Sequence, residues 1–115
     1  MTQEEIQLLL NDLCARLPYG VEINIYDDYL GTMKDEELNV FHLDSTYSIE
    51  YRKLRPYLRP MSSMTEEERK EYTKWLPDGY NIDTFYWLLE HHFDFRGLIP
   101  MGLALEALKD MYKIE

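Results

Sequence analysis

Ile6, Leu9, Leu10, Leu13, Cys14 and Leu17 recur at the spacing of one helical face, a stripe that has to be buried. Thr2 and Glu5 stand three residues apart just before it. They make the reciprocal pair that satisfies early orphan amides, so the helix is predicted to begin there and to stop at Pro18 and Gly20. Cys14, inside the stripe, reads as an inert buried thiol rather than a nucleophile. The period then changes to two. Val21, Ile23 and Ile25 alternate with Glu22, Asn24 and Tyr26, which predicts a half-buried strand.

Asp27 to Glu37 is polar, contains Gly31 and is rich in carboxylates, so it is predicted to be a solvated loop. Its acids lack the spaced ligands, central glycine and terminal Glu of a calcium loop. Leu38 to Leu43 is β-prone and predicted as a strand, although its two faces are not cleanly sorted. Tyr47, Ile49 and Tyr51 alternate with Thr46, Ser48 and Glu50, and the short Asp44-Ser45 turn predicts an antiparallel hairpin with the strand before it. Pro56 and Pro60 mark residues 52–64 as an ordered linker.

Thr65 with Glu68 is a second capping pair, with Ser63 and Glu66 the alternative start, and the helix they open is predicted to reach about Leu76. Met64, Tyr72, Trp75 and Leu76 define its narrow apolar face. After the break at Pro77, Asp78 and Gly79, a helix starting near Asn81 or Asp83 would bury Phe85, Leu88, Leu89 and His92, with Gly97 closing the region. Ala104, Leu105, Leu108 and Met111 predict a short last helix within Leu98 to Met111. This order describes an α+β domain: an N-terminal helix, a small antiparallel sheet of about three strands, and two or three C-terminal helices covering one face.

The chain's 115 residues suit a single domain, 1–115, whose core needs no disulfide or metal staple. Twelve Lys and Arg against twenty-two Asp and Glu give a net charge of −10, a field that disfavours general nucleic-acid binding and anionic membranes. One cysteine makes no internal disulfide, the apolar runs are too short to span a bilayer, and no signal-peptide pattern opens the chain. A cytoplasmic location is expected.

Three blocks carry a family resemblance: Leu-Cys-Ala-Arg-Leu-Pro-Tyr-Gly-Val at 13–21, Arg-Pro-Tyr-Leu-Arg-Pro-Met-Ser-Ser-Met-Thr-Glu-Glu-Glu at 55–68, and His-Phe-Asp-Phe-Arg-Gly-Leu-Ile-Pro-Met-Gly-Leu-Ala-Leu at 92–105. They resemble blocks of short uncharacterised open reading frames of gut anaerobic bacteria, their phages and other mobile elements. The resemblance implies an intracellular bacterial or phage protein with an accessory role. It supplies no catalytic or binding residues, and it does not extend to Asp27–Glu50.

The sharpest charge feature is Tyr51 to Pro60, with Arg52, Lys53, Arg55 and Arg59 and no acid; without its four positive charges the remainder sums to −14. Arg52, Arg55, Tyr57 and Arg59 suit a phosphate, carboxylate or single-stranded nucleic-acid partner. The same residues also suit neutralisation of the acidic helix that starts at Thr65, which is the preferred reading because charge runs are usually solvated or internally paired faces. Ten Tyr, two Trp and six Met exceed the evident needs of the core. Trp75, Tyr86 and Trp87 are therefore candidates for partner contact or a homo-oligomer interface, with Tyr86 and Trp87 forming an outward ridge; packing between the two helices is the other reading.

His91, His92 and Asp94, with the more distant His42, invite a metal reading. Adjacent helical residues point about 100° apart, however, which is wrong for chelation. No nucleophile–base pair or phosphate-cradling loop is present, so no catalytic, cofactor or metal residue is assigned. The expectation is a non-enzymatic binding or accessory module that acts through protein–protein contact. The alternatives are an acidic mimic of nucleic acid that inhibits a nucleic-acid-binding protein and, least supported, a small enzyme.

Overall fold

A computed structural model describes residues 2–27, 29–43, 53–75 and 82–112. Helix α1 spans Gln3–Arg16. Thr2 Oγ1 accepts from the Glu5 amide at 3.1 Å while Glu5 accepts from the Thr2 amide at 2.9 Å, the reciprocal cap expected of that pair. Ile6, Leu9 and Leu13 are buried, but Cys14 is exposed, contrary to expectation. The buried stripe instead runs through Asp12 and Arg16, both fully enclosed, because their mutual ion pair lets polar residues take helical positions that the apolar count had given to Cys14.

Strand β1, Glu22–Asp27, places Ile23 and Ile25 in a core with Ile6, Leu9, Leu13, Val21, Leu54 and Leu58, so α1 packs on one face of the sheet. The polar segment that follows is not a loop. Asp27 Oδ1 accepts from the amides of Tyr29 and Leu30, Gly31 takes φ +67°, and Thr32–Glu37 returns as strand β2, antiparallel to β1 with Glu22 opposite Glu37 and Asp27 opposite Thr32. β2 is polar because it lies at the sheet edge with most side chains in water, where alternation gives no signal.

The strand expected at Leu38–Leu43 is a single helical turn, α2, over Val40–Leu43. Asn39 starts it by accepting from the Phe41 amide through Oδ1, a local bond that competes with extended structure. The strand expected at Tyr47–Tyr51 lies outside the described residues.

Within the expected linker, Arg55–Leu58 forms strand β3, antiparallel to β1 through Ile23–Pro56 and Asn24–Arg55. The Leu38 amide bonds Val21 O, which makes Val21–Leu38 a hydrogen-bonded pair and sets the alternation along β1. Ile23 therefore bonds towards β2, and opposite it Pro56 has no β1 carbonyl to lose. A proline is tolerated in an inner strand for that reason.

Helix α3, Glu66–Trp75, is capped by the second expected pair: the Thr65 amide donates to Glu68 Oε1 at 2.9 Å and the Glu68 amide to Thr65 Oγ1 at 3.1 Å. Helix α4, Ile82–Glu90, follows, and Leu88 and Leu89 are buried as expected. The expected last helix is absent. Asp94 accepts from the amides of Leu98 and Ile99, Gly102 takes φ +78°, and the chain turns repeatedly before a two-residue strand β4, Leu105–Glu106.

β4 runs parallel to β3, so among the described residues the sheet order is β2-β1-β3-β4 and the sheet is mixed, with one strand more than expected. A second apolar cluster, Tyr72, Trp87, Leu88 and Phe93, joins α3 to α4. The fold is α+β as the element order predicts. No helix of the described residues is long and apolar enough to cross a membrane.

Candidate functional site: an acidic cleft

Where α4 ends, its backbone makes an unusual stop. The Phe93 amide bonds Leu88 O and the His92 amide bonds Leu89 O, the paired bonds of a left-handed helix terminus, with Phe93 and Leu88 in one apolar cluster. Glycine commonly holds the left-handed position. Here it is His92, at φ +62°, with the steric cost of a side chain in that region. The stop turns the chain so that Arg59 and Phe93 form a bridge, with the Arg59 amide on His92 O and the Asp94 amide on Arg59 O.

These elements enclose a cleft of about 350 Å³. Its walls come from Gly20 and Glu22 ahead of and within β1, Arg59 after β3, the first turns of α3, the end of α4, and Tyr112 in the tail. Among the described residues five carboxylates line it, from Glu22, Glu67, Glu68, Glu71 and Glu90, against one guanidinium.

That guanidinium is committed. Arg59 Nη1 and Nη2 fork onto Glu68 at 2.8 and 2.6 Å, Nη1 also reaches His91 O, and the group lies 4.3 Å from the Phe93 ring centroid. Glu71 is held by Trp87 Nε1 at 2.9 Å. Among the described residues no cation neutralises Glu22, Glu67 or Glu90.

The acidic rim continues outside the cleft. Glu22 and Glu37 face one another across β1 and β2 at a non-hydrogen-bonded position, where opposed side chains lie closest and like charges repel. Glu37 Oε1 also reaches within 2.9 Å of where a Cβ on Gly20 would stand.

Two imidazoles floor the cleft. His91 stacks on Trp87 at 4.3 Å, and its Nδ1 meets Trp87 O at 2.8 Å. A carbonyl only accepts, so Nδ1 carries the proton. His92 stacks on Tyr112 at 3.9 Å with its Nδ1 buried and unpartnered among the described residues. Tyr112 in turn donates to Tyr57 O and accepts from the Glu22 amide, which locks the tail to the sheet; burial raises its phenol pKa.

Burial, and after it the positive charges of Arg16, Arg59 and His91, lower the His92 pKa to about 4. Unfolded His92 gains a proton near pH 6.5 and the folded form resists it, so His92 lowers stability progressively as pH falls from about 6.5 towards 4 and has no effect above that window. His92→Phe should flatten this part of a pH–stability curve measured by urea unfolding. An unchanged slope would contradict the assignment.

The sequence-derived candidates scatter. Arg59 serves the acidic helix, the structural reading of the basic stretch. Tyr57 is buried and donates to Asp35 Oδ1. Arg55 is half-buried, with Nε lacking a described partner. Tyr86 is 47% exposed, but Trp87 is 8% exposed, packed on Tyr72 at 5.7 Å between ring centroids. The expected outward ridge is therefore Tyr86 alone, because Trp87 is the residue that joins α3 to α4. Arg52 and the Trp75 side chain lie outside the described residues.

Asp94 uses both oxygens on backbone amides, His42 bonds Glu36, and no three His, Cys, Asp or Glu among the described residues are placed to hold a metal ion. Glu22, Glu67, Glu71, Glu90 and Tyr112 were not candidates from the sequence; the one local signal was a histidine where a helix stop calls for glycine. Compared with protein-family models, curated proteins and solved structures, the chain matches none.

Proposed function

We propose that this chain is a small non-enzymatic accessory module of the cytoplasm that acts by protein–protein contact, with its acidic cleft receiving a basic surface of another protein. One observation carries the reading: among the described residues, five carboxylates converge on a cleft whose one guanidinium is already taken by Glu68. Electrostatic focusing in such a cleft draws cations and repels phosphates. The lining hydroxyls are engaged in structural hydrogen bonds, Thr65 in a helix cap and Tyr112 in the tail lock, which favours binding over turnover.

A second reading rests on the rim. The Glu22–Glu37 pair extends the acids from the cleft to the sheet edge, as a surface imitating a run of phosphates would. On that reading the partner is a nucleic-acid-binding protein, in line with the phage-type resemblance of the sequence blocks.

Affinity isolation of the tagged full chain from its native cells, beside a Glu67→Gln/Glu90→Gln variant, tests the proposal. The expected result is a basic partner held at low salt, weakened about tenfold or more by the double substitution and by added salt. Displacement of that partner by duplex DNA favours the mimic. A partner held equally by both proteins would overturn the cleft as the contact site.

A further inference from the structure

Strand β2 is bonded to β1 along one side and, among the described residues, to nothing along the other. The bond from the Leu38 amide to Val21 O sets the phase: Thr32, Lys34 and Glu36 direct their backbone towards β1, while Met33, Asp35 and Glu37 direct N–H and C=O outward. This outward ladder is accessible. Met33, Asp35 and Glu37 are exposed, Met33 to 62%, and all three side chains share one face of the sheet.

The chemistry of that row is two carboxylates and a thioether. Asp35 is anchored by Asn24 Nδ2 and Tyr57 Oη, both at 2.9 Å, so its charge stands at a set position. Glu37 is repelled by Glu22 directly opposite, a cost that an opposing cation would relieve. Charges along an edge strand discourage indiscriminate pairing. Here they also disfavour a second copy of the chain, since two antiparallel β2 edges centred on Asp35 would set the two Asp35 carboxylates against one another.

The geometry points to β2 as the docking edge for an extended basic segment of another protein. The segment adds antiparallel to β2, with Arg or Lys opposite Glu37, a second Arg or Lys two residues later opposite Asp35, and an apolar residue two further on opposite Met33. Main-chain bonds at three outward positions supply affinity, and the two carboxylates select the sequence. This surface lies outside the cleft lining and stands whether or not the cleft binds.

The test is titration of the ¹⁵N-labelled full chain with the heptapeptide Thr-Arg-Thr-Arg-Thr-Val-Thr, with a glutamate-for-arginine peptide as comparison. The arginine peptide should slow hydrogen exchange at the Met33, Asp35 and Glu37 amides, with binding weakened several-fold by added salt, while the glutamate peptide leaves them unchanged. Met33→Pro deletes one outward donor while leaving the β1 ladder complete, and should weaken binding about tenfold or more. Peptides N-methylated at the residues facing the edge read the same ladder on the unaltered protein and should also fail.

Unprotected amides at millimolar peptide would overturn the proposal, as would equal binding of the glutamate peptide. So would binding that survives Met33→Pro yet is lost in Glu67→Gln/Glu90→Gln, which would place the peptide in the cleft instead.

Discussion

Asp12→Ala is expected to cost about 3–5 kcal/mol, a large share of the roughly 5–15 kcal/mol that holds a domain of this size together. Asp12 has no exposed surface, and its two oxygens accept from Arg16 Nε at 2.7 Å and Arg96 Nε at 2.9 Å. Arg16 is equally enclosed. Its Nη2 reaches Phe93 O, its Nη1 has no described partner, and the Phe95 ring centroid lies 5.3 Å away. Removing the carboxylate leaves a buried, uncompensated cation, the costly way to break an internal ion pair.

The midpoint of thermal unfolding should fall by roughly 10–20 °C, or the variant should fail to accumulate folded. Arg16→Met in the Asp12→Ala background should recover stability, because the stranded charge is gone. A double variant no more stable than Asp12→Ala would show that the loss comes from packing rather than charge.

Glu68→Ala should be comparably damaging, about 3–5 kcal/mol by urea unfolding, because one carboxylate does two jobs. It takes the Arg59 fork beneath the cleft, with both side chains more than nine-tenths buried, and it accepts the Thr65 amide that starts α3. Thr65→Ala, which loses the cap alone, should cost about 1 kcal/mol. Equal losses from the two variants would show that the Arg59 pair adds nothing.

Burial pushes the Glu68 carboxyl up, but the Arg59 hydrogen bonds and the Thr65 amide outweigh it and hold the pKa below the usual carboxylate value. The stability this shift supplies is complete above about pH 4.5 and is lost as pH falls through the lower folded-state pKa. Acid unfolding should therefore have two parts, the His92 effect between about pH 6.5 and 4 and the Glu68 effect below it.

The features readable in advance were those encoded within one turn of chain. Both capping pairs lie three residues apart, the interval at which a helix brings a hydroxyl and an amide together. β1 announced itself by alternation because one of its faces meets α1. The misread segments depend on distant neighbours. β2 is polar at an edge and becomes a strand because β1 offers it a ladder, and β3 tolerates Pro56 because the opposed Ile23 bonds the other way. The Leu98–Met111 region has helical composition, but left-handed backbone at Gly102 and Asp110 interrupts it and the Ala107 amide is drawn to Leu58 O of β3.

The candidate site was less legible still. Apart from Glu68, legible as a cap, its acids come from Glu22, Glu67, Glu71 and Glu90, separated by up to more than half of the chain. The basic stretch, conspicuous in sequence, proved to include an internal partner for α3, since a run of charge states its sign and not what it meets.

What the amino-acid order determined alone was the class of fold, the starts of α1 and α3, and an acidic field. Tertiary structure decided where that field concentrates, which arginines are consumed inside, and which strand is left, among the described residues, with an open edge. The physical reason is range: caps and periodicity act over a few residues, whereas Arg16 meets Phe93 and Glu22 meets Tyr112 only after seventy or more intervening residues have found their own packing.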